Sequence, residues 1–109
     1  MVHLARANAA YFSAFALMPP PEAPSATDKE TVRKFVTASF DYVRSVLEKL
    51  SEKDMQRNDL GKGSRYGAHT AVDMCLRAYM HTAHHRGQVV VYLRVKGITP
   101  PAWKFEPTA

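Results

Sequence analysis

Apolar residues recur at three-and-four spacing in three stretches of the chain, and no stretch shows the strict alternation of a half-buried strand. The first stretch runs from Val2 to Leu17, with Leu4, Tyr11 and Phe15 on one stripe and alanine throughout. Pro19, Pro20 and Pro21 end it, because proline lacks the amide proton and restricts the residue before it. Its beginning has no Ser, Thr, Asp or Asn cap, so the pattern predicts a chain that starts inside a helix. The second stretch is punctuated at its start. Thr27, Asp28, Lys29 and Glu30 predict a capping box, with the Thr27 oxygen accepting an amide proton and Glu30 reaching back. Val32, Phe35, Val36, Ser39, Val43, Val46, Leu47 and Leu50 then form an amphipathic stripe, and Lys34, Asp41, Arg44, Glu48 and Lys49 take the solvated face. A polar connection follows from Ser51 to about Ala68. The third stretch, Thr70 to Lys96, predicts a long helix stopped by Gly97, with Pro100 and Pro101 barring resumption. Trp103 and Phe105 are placed to pack back as an anchor. Three helices joined by short connections predict an all-α bundle, a single domain over 1–109.

Composition narrows the classes without naming a function. One cysteine, Cys75, excludes an internal disulfide framework and is compatible with the cytoplasm. No apolar run reaches the roughly 18 residues of a membrane span. Residues 1–26 have the loose layout of a secretory signal, but Asn8 and Ser13 dilute the apolar patch and only Arg6 supports the charged end, so the helical reading is preferred. The formal charge is +5, yet the Lys and Arg residues are scattered, with no helix-turn-helix spacing or aromatic platform. That argues against a nucleic-acid partner. Gly61-Lys62-Gly63-Ser64 lacks phosphate-loop spacing and reads as a flexible connection.

The chemistry concentrates on the third helix. From Met74, steps of four and three residues visit Ala78, His81, His85, Gln88, Tyr92 and Val95 on one face, apolar at both ends and polar in the middle. His81 and His85 are one turn apart, so two imidazole nitrogens could meet a single ion. A third ligand must come from elsewhere, and His3, His69 and His84 are the candidates. The plain alternative is a pair of hydrogen-bonded or surface histidines. Gln88 or Tyr92 could orient a ligand or a histidine's second nitrogen, Arg86 reads as an ion-pairing or interface residue, and Cys75 as a small core residue. Asp73 lies two turns away, off the stripe. Val72, Tyr79, Ala83 and Val90 form an apolar strip roughly opposite the histidines, so the helix needs neighbours on two sides.

His81-Thr82-Ala83-His84-His85-Arg86-Gly87-Gln88, followed by Tyr92-Leu93-Arg94, Gly97 and Pro100-Pro101, resembles the C-terminal signature of the DinB/YfiT-like superfamily. Val2-His3-Leu4-Ala5 is similar to the start of that family's second helix, and the capped second stretch to its third. The resemblance implies an up-down-down-up helical bundle with three long helices present and the first bundle helix missing, through truncation or a start codon assigned too far downstream. It also implies a divalent metal, nickel or zinc, on His3, His81 and His85, and a homodimer. Some members are thiol transferases or thiol-dependent isomerases, so a small thiol or another small molecule is the implied substrate.

Two functions follow. The first is a metal-dependent enzyme of thiol-transferase or hydrolase type in the cytoplasm, since three neutral imidazoles leave coordination positions open. The second is a non-catalytic helical dimerisation or binding module whose histidines are only hydrogen-bonded.

Overall fold

The computed structural model of the chain describes residues 1–16, 18–61, 63, 65–66 and 68–102. Four α-helices occur among them: α1 (Val2–Phe12, continued by a 3-10 turn over Ser13–Phe15), α2 (Lys29–Leu47), the single turn α3 (Glu52–Met55) and α4 (Ala71–Val95). No strand occurs among the described residues. The all-α reading therefore holds, with three long helices.

One expectation is overturned. The bundle helices, the first included, are present, so the first helix is not missing. α1 starts at Val2, and Met1, at the N-cap position, gives it no side-chain cap; that bare start is what points to a loss. Burial fixes this helix instead. Leu4, Ala5, Asn8, Ala9 and Phe12 form one buried face, and α1 packs against both α2 and α4. A helix wedged between two others is held by its apolar face rather than by propensity or capping. The buried stripe is also rotated from the expected one: Leu4 is buried, whereas Tyr11 and Phe15 pack half-buried at the margin of the core. Leu17 lies outside the described residues.

α2 begins one residue later than the predicted box. Asp28, not Thr27, is the N-cap, and its carboxylate accepts from the Thr31 amide at 2.9 Å. Glu30 does not reach back; it pairs with Arg33 and Lys34. Phe35, Ser39, Tyr42 and Val46 are buried, with Val43 and Leu47 half-buried beside them. Tyr42, which the predicted stripe omitted, donates its hydroxyl to the Met18 carbonyl at 2.9 Å and so ties α2 to the segment leaving α1.

α4 matches its predicted span to within a residue at each end. Thr70 caps it by accepting from the Asp73 amide at 3.1 Å. Gly97 closes it at φ +71°, the left-handed conformation that favours glycine after a helix. The core then assembles from all three long helices: Ala9 and Phe12 of α1, Tyr42 and Val46 of α2, and Met74 of α4. Of the expected second apolar strip on α4, Tyr79 is exposed and Val72, Ala83 and Val90 are half-buried; Leu76, Met80, Val91, Tyr92 and Val95 are exposed as well. Among the described residues no helix is long and apolar enough to cross a membrane. Lys62, Ser64, Trp103 and Phe105 lie outside them, and with them the proposed anchor and half of the glycine-loop comparison.

Candidate metal centre

Helical geometry and helix packing bring three imidazoles together. One turn of α4 separates His81 from His85, and α1, lying alongside, delivers His3 near its own start. The His81 and His85 Nε2 atoms are 3.0 Å apart, and those of His81 and His3 are 3.3 Å apart. One ligand atom from each of the three lies within 4.8 Å of the others. The rings meet edge to face, with centroids 4.5–5.2 Å apart. Three nitrogens bound at ~2.0–2.1 Å around a tetrahedral ion would be roughly 3.3 Å apart. The donor set fits. His3 is exposed and the other two are half-buried, so the cluster opens to solvent on the α1 side.

The remaining ring nitrogens show which face of each imidazole is available. His81 Nδ1 donates to the Asn8 Oδ1 at 3.2 Å, and the Asn8 Nδ2 donates to the Thr82 Oγ1 at 2.9 Å. His85 Nδ1 donates to the Gln88 Oε1 at 2.8 Å. A neutral imidazole that donates from Nδ1 carries its lone pair on Nε2. Two lone pairs thus face each other across 3.0 Å, an arrangement that calls for a cation or a shared proton between them. Burial, followed by the neighbouring His85, His3 and His84 rings, holds His81 below the usual histidine pKa and favours its neutral, ligating form.

The other histidines fall outside the cluster. His69 Nδ1 pairs with Asp73 at 2.6 Å, and Asp73 also accepts from Arg77. His84 meets His85 edge to face, centroids 5.2 Å apart. Of the two orienting candidates, Gln88 makes the contact, whereas Tyr92 is exposed. Cys75 is half-buried beside the core, where burial pushes its thiol pKa up.

Asn8 was missed, although its signal was legible: it falls four residues after Leu4 and four before Phe12, a polar side chain on an apolar stripe. It is 3% exposed, and a buried amide of this kind must find partners.

A family model described as the DinB family matches residues 1–108. The chain belongs to the DinB family. The match takes in α1 as well as α4, so the family pattern, like the structure, includes the helix that carries His3 and gives no support to a missing first helix. Comparisons with curated proteins and with solved structures give no match.

Proposed function

We propose that this DinB-family chain binds one divalent metal ion, nickel or zinc, through His3, His81 and His85, and acts as a metal-dependent enzyme of thiol-transferase or hydrolase type. One observation carries the reading: the Nε2 atoms of His81 and His85 lie 3.0 Å apart while their Nδ1 atoms are bonded outward to the Asn8 Oδ1 and the Gln88 Oε1. When bound, the ion supplies Lewis acidity at a position left open by three protein ligands. The chain's own residues do the rest. Asn8 and Gln88 orient two rings, α4 fixes their separation, and Tyr11, its ring centroid 5.8 Å from that of His81, walls one side. A homodimer is part of the proposal, supported by the exposed apolar residues of α4, a surface that a second copy would cover. So is a cytoplasmic address, supported by the single, unpaired Cys75.

The test uses protein purified without a histidine tag. Elemental analysis after loading with zinc or nickel is expected to give about one ion per chain, and His3→Ala, His81→Ala and His85→Ala should each weaken uptake at least about tenfold. A chain that takes up no ion, or variants that bind as well as the parent, would leave the second reading, a non-catalytic helical module in which a proton sits between the facing nitrogens.

A further inference from the structure

α1 has two faces with different work. Leu4, Ala5, Asn8, Ala9 and Phe12 are buried in the core, while His3, Arg6, Ala7, Ala10 and Tyr11 line an open cleft of about 590 Å³. Two of these residues, Ala7 and Ala10, are alanines, whose small side chains take little of its space. Arg65 and Tyr66 of the α3–α4 connection and His81 of α4 also line it. The walls are continuous. The Arg65 guanidinium lies 5.6 Å over the Tyr66 ring, Tyr66 meets Tyr11 edge to face at 5.2 Å, and Tyr11 meets His81 at 5.8 Å. A cation at this distance over a tyrosine face is attracted by the ring quadrupole, which presets the arginine without neutralising it.

The electrostatics of the cleft are one-sided. Among the described residues no carboxylate lines it. Neither Arg6 nor Arg65 has a carboxylate partner among the described residues, whereas Arg33, Arg57 and Arg77 each hold one. Asp73, in the depression beyond Tyr66, is already shared by His69 and Arg77. Two guanidiniums lining a concave, aromatic-walled space favour a carboxylate or phosphate group, whose paired oxygens each can engage through two N–H donors.

We propose that this cleft is the substrate pocket of the histidine site and that it takes a small organic anion, held at its carboxylate or phosphate by Arg6 and Arg65 with its other end against His3 and His81. The proposal rests on the metal reading for what that other end meets; the anion contact itself does not. Both arginines and both histidines line the same cleft, so one ligand lying in it can meet the two groups. A neutral analogue of equal size loses the charged contact and binds through the tyrosines alone.

The experiment is an NMR titration of the full chain, with and without zinc, at constant ionic strength, using succinate, inorganic phosphate and the neutral succinamide as probes. Saturable shifts at Arg6, Tyr11, Arg65 and Tyr66 are expected with succinate or phosphate and not with succinamide. Arg6→Gln and Arg65→Gln should each weaken binding about fivefold, as for loss of one exposed charge-assisted contact, and Arg94→Gln, at the far end of α4, should change nothing. Both arginines are exposed, so the variants keep the fold, checked by their spectral dispersion. Which of the two anions binds tighter separates a carboxylate from a phosphate ligand. The absence of saturation by either anion, an equal response to succinamide, or unchanged affinity in the arginine variants would overturn the proposal. Zinc uptake is measured in the same Arg6→Gln and Arg65→Gln chains. Zinc bound without anion affinity sinks the cleft alone; arginine-dependent succinate binding without zinc sinks the metal site alone.

Discussion

A neutral imidazole offers one donor and one acceptor, so whatever holds its Nδ1 proton decides where its lone pair points. Asn8 does this for His81 and Gln88 for His85, and in each case the partner lies outside the cluster. Asn8→Ala should lower zinc affinity about 10- to 100-fold, the usual loss when a ligand's orienting partner is removed. Gln88→Ala should act in the same direction, but less, because Gln88 is exposed and water can replace it. Competition titration against a chelating dye measures both. Asn8→Asp is the sharper control: it keeps an acceptor for His81 but cannot donate to Thr82, so it should retain more affinity than Asn8→Ala. Equal affinity in all three chains would remove the orienting role. The same residues show what could be read from the chain. His81, His85 and Gln88 were legible because helical spacing alone puts them on one face. His3 needed the family resemblance, since nothing in its own surroundings marks a ligand. Asn8 was passed over as a diluting polar residue, because its partners are on a helix more than seventy positions away.

Caps and stops act on whole elements. Hydrogen bonds from the Thr31 amide and then the Thr31 side chain hold the Asp28 carboxyl below the usual carboxylate range. Its folded pKa is thus depressed, so the contribution to stability is full above the unfolded value and fades as pH falls through the lowered one. Asp28→Ala should melt at lower temperature than the parent at neutral pH, and thermal melts across an acid series should show the gap closing as the carboxyl protonates. Asp54, lowered chiefly by its bond to Ser51, follows the same sign. At the other end of α4, Gly97 sits at φ +71° with nothing within 4 Å of where a Cβ would stand. Gly97→Ala should therefore cost only the backbone term, about 1 kcal/mol, read by denaturant titration. Boundaries set by such local chemistry were close in the sequence, as Thr70 and Gly97 were for α4. Where two acceptors compete, as Thr27 and Asp28 do, the choice rests on which one reaches the third amide of the helix.

At the scale of the molecule, α1 is the keystone. It makes contacts with both α2 and α4, and one of its faces supplies the core while the other lines the cleft. Phe12, 1% exposed, sits in the core that α1 shares with α2 and α4. Phe12→Ala should destabilise the fold by about 3–5 kcal/mol and should also loosen zinc binding, because His3 rides on the same helix. A stability loss in urea with unchanged zinc affinity would show that His3 is positioned without help from α1 packing. The exposed apolar residues of α4 give a further expectation: Tyr79→Lys should shift the proposed dimer toward monomer in sedimentation velocity while leaving the fold intact, since that side chain is 68% exposed.

The sequence by itself determined that the chain is helical, where α4 starts and stops, and that two histidines and a glutamine share one side of it. Those are consequences of spacing and of bonds between residues a few positions apart. Only the tertiary structure decided that α1 is held by burial rather than by a cap, that Tyr42 and Asn8 are interior, and that Arg6 and Arg65 border the same cleft. Each of these depends on how helices lie against one another. A stripe of apolar residues says that a face will be covered, and the partner that covers it is fixed only when the chain folds back on itself.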